Sequence, residues 1–69
     1  MKLSARNVIF GKIIYMKTGA VNVEVIIEVA PQVQLTSIIT KQACDLLQLK
    51  EGMQSYAVIK SSNVMIATD

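Results

Sequence analysis

The spacing of apolar and polar residues predicts a chain made mostly of β-strands. Residues 3–16 are rich in Val, Ile, Phe and Tyr and carry Gly11 in the middle, which predicts a long first strand that bends or bulges at the glycine. A turn at residues 17–19 is followed by residues 21–29, where apolar and polar side chains alternate as in a strand with one buried face. Pro31 interrupts that alternation because proline cannot donate to a strand ladder, and a third strand is predicted over residues 33–39.

A short helix and two more strands are predicted in the second half of the chain. Thr40 has the side chain of a helix N-cap, and Gly52 is expected to end the helix. The predicted apolar face of this helix consists of Ala43, Leu46 and Leu47. A fourth strand over residues 56–60, a turn at 61–63 and a fifth strand over 64–67 complete the pattern. This order predicts a mainly β fold, a five-stranded OB-like β-barrel with one short helix between strands 3 and 4.

The hydrophobic content is high for so short a chain. With 69 residues there is room for one domain, residues 1–69, and a chain of this size buries only about 60% of the surface that its unfolded form exposes. Hydrophobic residues nevertheless make up 52% of the sequence. One small core cannot cover them all, so the surplus is expected in contacts between copies of the chain.

The net charge indicates which class of ligand suits the chain, and the single cysteine indicates which cellular compartment suits it. The formal net charge is +2, and the basic residues stand singly along the chain, which favours a compact anionic ligand over a long polyanion such as nucleic acid. Cys44 is the only cysteine, so no intrachain disulfide can form, and a reducing cytoplasm fits. Residues 1–6 lack the apolar stretch of a signal peptide, and the later apolar runs are too short to span a bilayer. A cytoplasmic protein with no membrane partner is therefore expected.

The sequence offers little that could catalyse a reaction. It contains no histidine, so its serines lack the usual activating base, and no glycine spacing resembles a phosphate-binding loop. We therefore predict no enzyme activity, no catalytic cofactor and no directly coordinated metal ion. Hydroxyl and cationic side chains do occur beside predicted strand ends, at Ser4, Arg6, Thr40, Lys60 and Ser61. A tetrahedral dianion accepts hydrogen bonds only, so converging donors of this kind are what it requires.

Six short segments, spread almost from end to end of the chain, together form a recognisable pattern. They are Ser4-Ala5-Arg6-Asn7, Gly11-Lys12, residues 19–25, residues 36–40, Leu49-Lys50-Glu51-Gly52 and residues 57–66. In these segments the chain resembles the molbindin family, whose domain also occurs in molybdate-responsive regulators and molybdate transporter ATPases. The resemblance implies an OB-like barrel, a homohexamer built as a trimer of dimers, and molybdate or tungstate held between subunits.

The same resemblance implies roles for individual residues. Ser4, Arg6, Lys60 and Ser61 occupy the anion-contacting positions, Ala5 contributes its backbone, and Thr40 completes the pocket from a neighbouring chain. A second type of site, which relies more on backbone amides, would involve Gly19, Ala20, Val21 and Ser37.

These observations favour a protein that binds and stores molybdate or tungstate in the cytoplasm, without turnover. Two alternatives remain open from the sequence. One is an OB-type nucleic-acid-binding module, against which the scarcity of aromatic residues argues, since the chain has only Phe10, Tyr15 and Tyr56. The other is a purely structural oligomerisation domain.

Overall fold

A single antiparallel sheet forms the body of the protein. The computed structural model describes residues 2–69. Its elements are β1 (Asn7–Thr18), β2 (Asn22–Ala30), β3 (Val33–Thr40), α1 (Lys41–Leu47), β4 (Gln54–Ile59) and a 3₁₀ turn (Ser61–Asn63). The strands lie in the order β3-β2-β1-β4, so β1 and β2 are central and β3 and β4 form the edges.

The core is small and aliphatic, as the alternation of β2 predicts. Val23, Val25 and Ile27 of β2 are buried on one face of the sheet. Ile13 from β1 and Cys44 from α1 are the other buried apolar side chains among the described residues. The helix therefore covers the sheet through Cys44, while the strands supply the remainder of the core.

The bulge in β1 lies three residues beyond Gly11, so its predicted position at the glycine is wrong. Ile13 pairs with Ile27 and Tyr15 pairs with Ile26, which leaves Ile14 as the extra residue. At this point β1 exchanges hydrogen bonds with the loop before β4: the Ile13 N–H donates to the Met53 carbonyl at 2.9 Å. These bonds to the loop accompany the local change of register.

The loop before β4 makes two further hydrogen bonds to β1. The Gly52 N–H donates to the Ile13 carbonyl at 2.7 Å, and the Met16 N–H donates to Glu51 Oε2 at 2.8 Å. Gly52 has a φ of 89°, a conformation that favours glycine. The glycine therefore shapes this loop, and it does not end the helix as the sequence suggested.

Helix α1 begins as predicted and ends earlier. Thr40 is the N-cap, and its Oγ1 accepts a hydrogen bond from the Ala43 N–H at 3.0 Å. The helix ends at Leu47 because Gln48 adopts a left-handed conformation, with a φ of 55°. Its predicted apolar face is also incorrect, since Leu46 is 83% exposed and Cys44 is the buried residue.

Replacing Thr40 by alanine should destabilise the fold by about 0.5 to 2 kcal/mol, because the Ala43 N–H loses its capping acceptor. Urea unfolding at a fixed protein concentration measures this cost. Thr40→Ser keeps the hydroxyl and serves as the matched control, which should unfold close to the wild type. Equal midpoints for Thr40→Ala and the wild type would show that the cap contributes nothing.

The predicted fifth strand and the closed barrel are not found. Residues 64–69 form no strand, and the four-stranded sheet remains open between β3 and β4. Val64, Met65 and Ile66 are 47%, 92% and 86% exposed, so this segment packs little against its own chain. After the 3₁₀ turn the chain does not run back along β4. Residues 64–67 have the apolar composition of a strand, but they pair with no strand of the described chain.

An apolar trough lies between the two edges of the open sheet. Its volume is about 420 Å³, and its lining includes Val25, Ile27, Leu35, Leu49 and Ala57. The trough and the exposed C-terminal segment are two apolar surfaces that the single chain leaves uncovered.

Candidate functional site

The N-terminal segment and the turn after β4 meet at one end of the sheet. β1 and β4 are antiparallel, and Asn7 at the start of β1 pairs with Ile59 at the end of β4. Residues just before Asn7 and just after Ile59 therefore emerge side by side. They enclose an open cleft of about 620 Å³, lined by Ser4, Ala5, Arg6, Val58, Lys60, Ser61, Ser62 and Asn63.

The side chains of this cleft suit an anion. Arg6 and Lys60 supply two positive charges, three serines supply hydroxyl groups, and Asn63 supplies an amide. None of the lining residues is acidic. Because hydrogen bonds to charged groups contribute about 1.5 to 3 kcal/mol each, several converging donors can offset much of the cost of desolvating a small dianion.

Five of the site residues predicted from the sequence come together here, although the two segments are far apart along the chain. They are Ser4, Ala5, Arg6, Lys60 and Ser61. Three of the lining residues were not predicted from the sequence. Ser62 and Asn63 directly follow Lys60-Ser61 in the same turn, and Val58 lies two residues before Lys60, on the same face of β4.

The 3₁₀ turn fixes the course of the chain along one side of the cleft. The Asn63 N–H donates to the Lys60 carbonyl at 2.8 Å, and the Val64 N–H donates to the Ser61 carbonyl at 3.3 Å. These bonds hold the backbone of the two serines in a tight arc next to Lys60. The turn therefore presents the hydroxyl groups of Ser61 and Ser62 from a defined backbone.

Thr40 lies elsewhere and does not line the cleft of its own chain. It pairs with Asn22 between β2 and β3, and the N–H of Lys41 donates to the Val21 carbonyl at 2.8 Å. This places Thr40 beside the loop that joins β1 to β2. Its contribution to the pocket of a neighbouring chain stays a prediction.

The candidates for a second site are only partly grouped. Gly19, Ala20 and Val21 form the exposed loop between β1 and β2, near Thr40. The Gly19 N–H already donates to the Asn22 carbonyl at 2.8 Å, so Ala20 and Val21 are left to offer backbone donors to a ligand. Ser37 lies apart from this loop, three residues before Thr40 on β3, and lines the apolar trough.

Two other features are absent from the described part of the chain. Residues 2–69 contain no cluster of three or more His, Cys, Asp or Glu side chains that could hold a metal ion. None of the helices in that range is long and apolar enough to cross a membrane.

Comparison with known proteins adds a family and close relatives. The family model of the TOBE domain matches residues 3–66. Over 66 residues the chain is 44% identical to molybdenum-pterin-binding protein 1 of Clostridium pasteurianum, a match that covers 96% of this chain and 97% of that protein.

Two solved structures share the fold. The structure of MopII from Clostridium pasteurianum superposes with a TM-score of 0.91 at 42% identity, covering 97% of this chain and 100% of MopII. The cytoplasmic molybdate-binding protein ModG, with molybdate bound, superposes with a TM-score of 0.88 at 45% identity. That match covers 94% of this chain and 46% of ModG, so the chain corresponds to about half of that protein.

Proposed function

The chain belongs to the TOBE domain family, and from this membership we propose that it binds molybdate reversibly in the cleft between its N-terminal segment and the turn after β4. The observation that carries the proposal is the convergence of Arg6 and Lys60 with serine hydroxyls in a cleft lined by no acidic residue. In this proposal the two cations balance the two negative charges of the anion. The hydroxyls and the Ala5 backbone fill its remaining acceptor positions.

Similarity to relatives supports this ligand. Molybdenum-pterin-binding protein 1 is similar along nearly its whole length, and ModG is a molybdate-binding protein. Both are binding proteins, and the chain itself offers no activated nucleophile or acid–base pair for turnover. Binding without catalysis is therefore the proposed activity. Tungstate is a tetrahedral dianion like molybdate, and the same donors would hold it.

We further propose that copies of the chain assemble and share the sites between them. The cleft is open, and the donors that line it come from the N-terminal segment and from the end of β4 with the turn that follows. The uncovered trough and the exposed Val64, Met65 and Ile66 supply apolar surface that assembly would bury. A homohexamer arranged as a trimer of dimers would bring Thr40 of one chain to the cleft of another.

A protein that binds the anion without altering it serves as a store or buffer. We propose this role in the cytoplasm, where the similar protein ModG resides. A single free thiol is stable in that compartment.

Light scattering and calorimetry of the purified chain test the proposed function. We expect an oligomer in solution that binds molybdate and tungstate with micromolar or tighter affinity, while sulfate at the same concentration gives a much weaker signal. The thermal midpoint should rise with molybdate concentration, because a ligand that binds only the folded state stabilises it. A chain that shows no heat of binding and no thermal shift with millimolar molybdate would refute the proposal, and an oligomer with that behaviour would be a structural domain.

A further inference from the structure

The polar side chains of the cleft are rich in hydrogen-bond donors and poor in acceptors. Arg6 and Lys60 have no acceptor atom at all, and the amide of Asn63 can turn its NH₂ group towards an anion. Each serine hydroxyl carries one hydrogen that it can donate. Because none of the lining residues is acidic, the cleft has no carboxylate to accept a proton from a ligand.

The backbone acceptors of the turn beside the cleft are already in use. The Lys60 carbonyl accepts a hydrogen bond from the Asn63 N–H at 2.8 Å, and the Ser61 carbonyl accepts one from the Val64 N–H at 3.3 Å. These bonds form the 3₁₀ turn itself, so a ligand cannot compete for them without opening the turn. The backbone therefore does not supply the acceptor that the side chains lack.

Thr40, which the proposed assembly brings to the cleft from another copy, is also a donor. Its Oγ1 accepts the Ala43 N–H at 3.0 Å as the cap of α1. The hydroxyl hydrogen is therefore the part of Thr40 left to meet a ligand. The residue that follows, Lys41, is a further cation. A site completed in this way gains donors and positive charge.

Tetrahedral dianions of similar size differ in whether they carry a proton near neutral pH. Molybdate, sulfate and selenate are fully deprotonated, so all four of their oxygens accept hydrogen bonds. Phosphate and arsenate are dianions only in their monohydrogen form, whose hydroxyl group needs an acceptor. In a site made of donors, that hydroxyl meets another donor or makes a serine accept where it would have donated. Either arrangement leaves a hydrogen-bonding group unpaired, which costs free energy.

We infer that the cleft selects anions by their protonation, and that it binds fully deprotonated tetrahedral dianions in preference to monohydrogen phosphate and arsenate. This selectivity rests on the proposed function, because it requires copies of the chain to share the site. In the open cleft of one chain the hydroxyl of a monohydrogen anion can face water, whereas in a shared site it faces protein donors. Selection of this kind keeps the sites from filling with phosphate.

Competition calorimetry with the wild-type chain tests the selectivity through a matched pair of ligands. Slightly above neutral pH, selenate and arsenate have the same charge and nearly the same size, and they differ by one proton. Sodium selenate and sodium arsenate are each titrated into the chain loaded with molybdate. Selenate should bind at least about tenfold more tightly than arsenate, which corresponds to roughly one unmatched hydrogen bond. Sulfate should be preferred to phosphate in the same way.

Ser62→Asp supplies the missing acceptor at the edge of the cleft. Its carboxylate accepts the hydroxyl of arsenate but repels every oxygen of selenate, so the preference for selenate should fall at least about tenfold. Ser62→Asn is the matched control, because asparagine has the shape of aspartate without its charge, and this variant should keep the preference whatever its affinity. Lys17→Ala lowers the net charge by the same amount at the other end of β1 and should also keep it.

The outcomes separate this selectivity from the proposed function. A wild-type chain that binds no molybdate contradicts the proposed function itself. Molybdate binding with equal affinities for selenate and arsenate contradicts the selectivity alone, since the proton then makes no difference. If neither anion displaces molybdate even in large excess, size controls the choice of anion and the inference is wrong. An unchanged preference in a folded Ser62→Asp variant would likewise overturn it, because an added acceptor would then have no effect.

Discussion

Replacement of Arg6 by alanine should weaken molybdate binding by roughly ten- to a hundredfold, because the cleft loses a charged donor that contributes about 1.5 to 3 kcal/mol. Arg6 is exposed and precedes β1, so the fold should be unaffected. Calorimetric titration with molybdate measures the loss, and circular dichroism checks the fold. The molybdate affinity of Arg6→Lys should lie between those of the wild type and Arg6→Ala, since lysine keeps the charge but not the planar pair of donors.

A variant that removes a different positive charge, Lys17→Ala, is the control for Arg6→Ala. Lys17 is also exposed and lies on β1, but at the opposite end of the strand from the cleft. Lys17→Ala therefore changes the net charge equally without touching the site, and it should bind molybdate nearly as tightly as the wild type. Equal losses in the two variants would mean that binding responds to overall charge, and wild-type affinity in Arg6→Ala would remove Arg6 from the site.

Local patterns in the sequence predict the central strands well. The alternation over residues 21–29 puts five apolar side chains on one face, those of Val21, Val23, Val25, Ile27 and Val29. The structure buries the middle three, leaves Val29 half-buried, and leaves Val21, in the loop before β2, 70% exposed. The Thr40 cap was likewise predictable, because its hydrogen bond reaches only three residues along the chain. Both features depend only on residues a few positions apart, so they can be predicted from a single sequence.

Features that depend on distant parts of the chain were harder to predict. The bulge in β1 coincides with hydrogen bonds to the loop around Met53, forty residues later, whereas Gly11 was the only local sign of irregularity. The prediction of a fifth strand was wrong for a related reason. Val64, Met65 and Ile66 have the composition of a strand, but a strand also needs a partner, and the single chain provides none for them.

Some residues of the candidate site lie where they were predicted, and one, Thr40, does not lie there within a single chain. Arg6 and Lys60 were placed in one site by resemblance to a family, and the pairing of Asn7 with Ile59 explains physically why they meet. Periodicity alone could not have joined them, because they lie at opposite ends of the sequence. Thr40 was assigned to the same pocket, yet in one chain it lies beside the loop between β1 and β2. Its placement depends on how copies assemble, which the pattern of one sequence does not determine.

Replacement of Gly11 by valine should destabilise the fold by about 3 kcal/mol or more, at the upper end of the usual cost of overpacking. Gly11 is buried where β1 crosses β2, and a Cβ atom there would lie 2.6 Å from the Glu28 carbonyl oxygen. That atom belongs to the backbone, so the strand itself would have to move. Two side-chain atoms of Ile27 and Val29 would lie at 2.9 and 3.0 Å and restrict the movement further.

This prediction tests whether Gly11 is needed for the close approach of β1 and β2. Gly11 lies in the regular part of β1, before the bulge. Gly19→Ala is the control, because a Cβ atom at Gly19 would meet only the Asn22 carbonyl oxygen, at 3.2 Å, in an exposed loop. Urea unfolding at one protein concentration should show a large fall in midpoint for Gly11→Val and a small change for Gly19→Ala. Similar midpoints for the two variants would mean that β1 and β2 can separate at little cost, and that Gly11 is not required for their close approach.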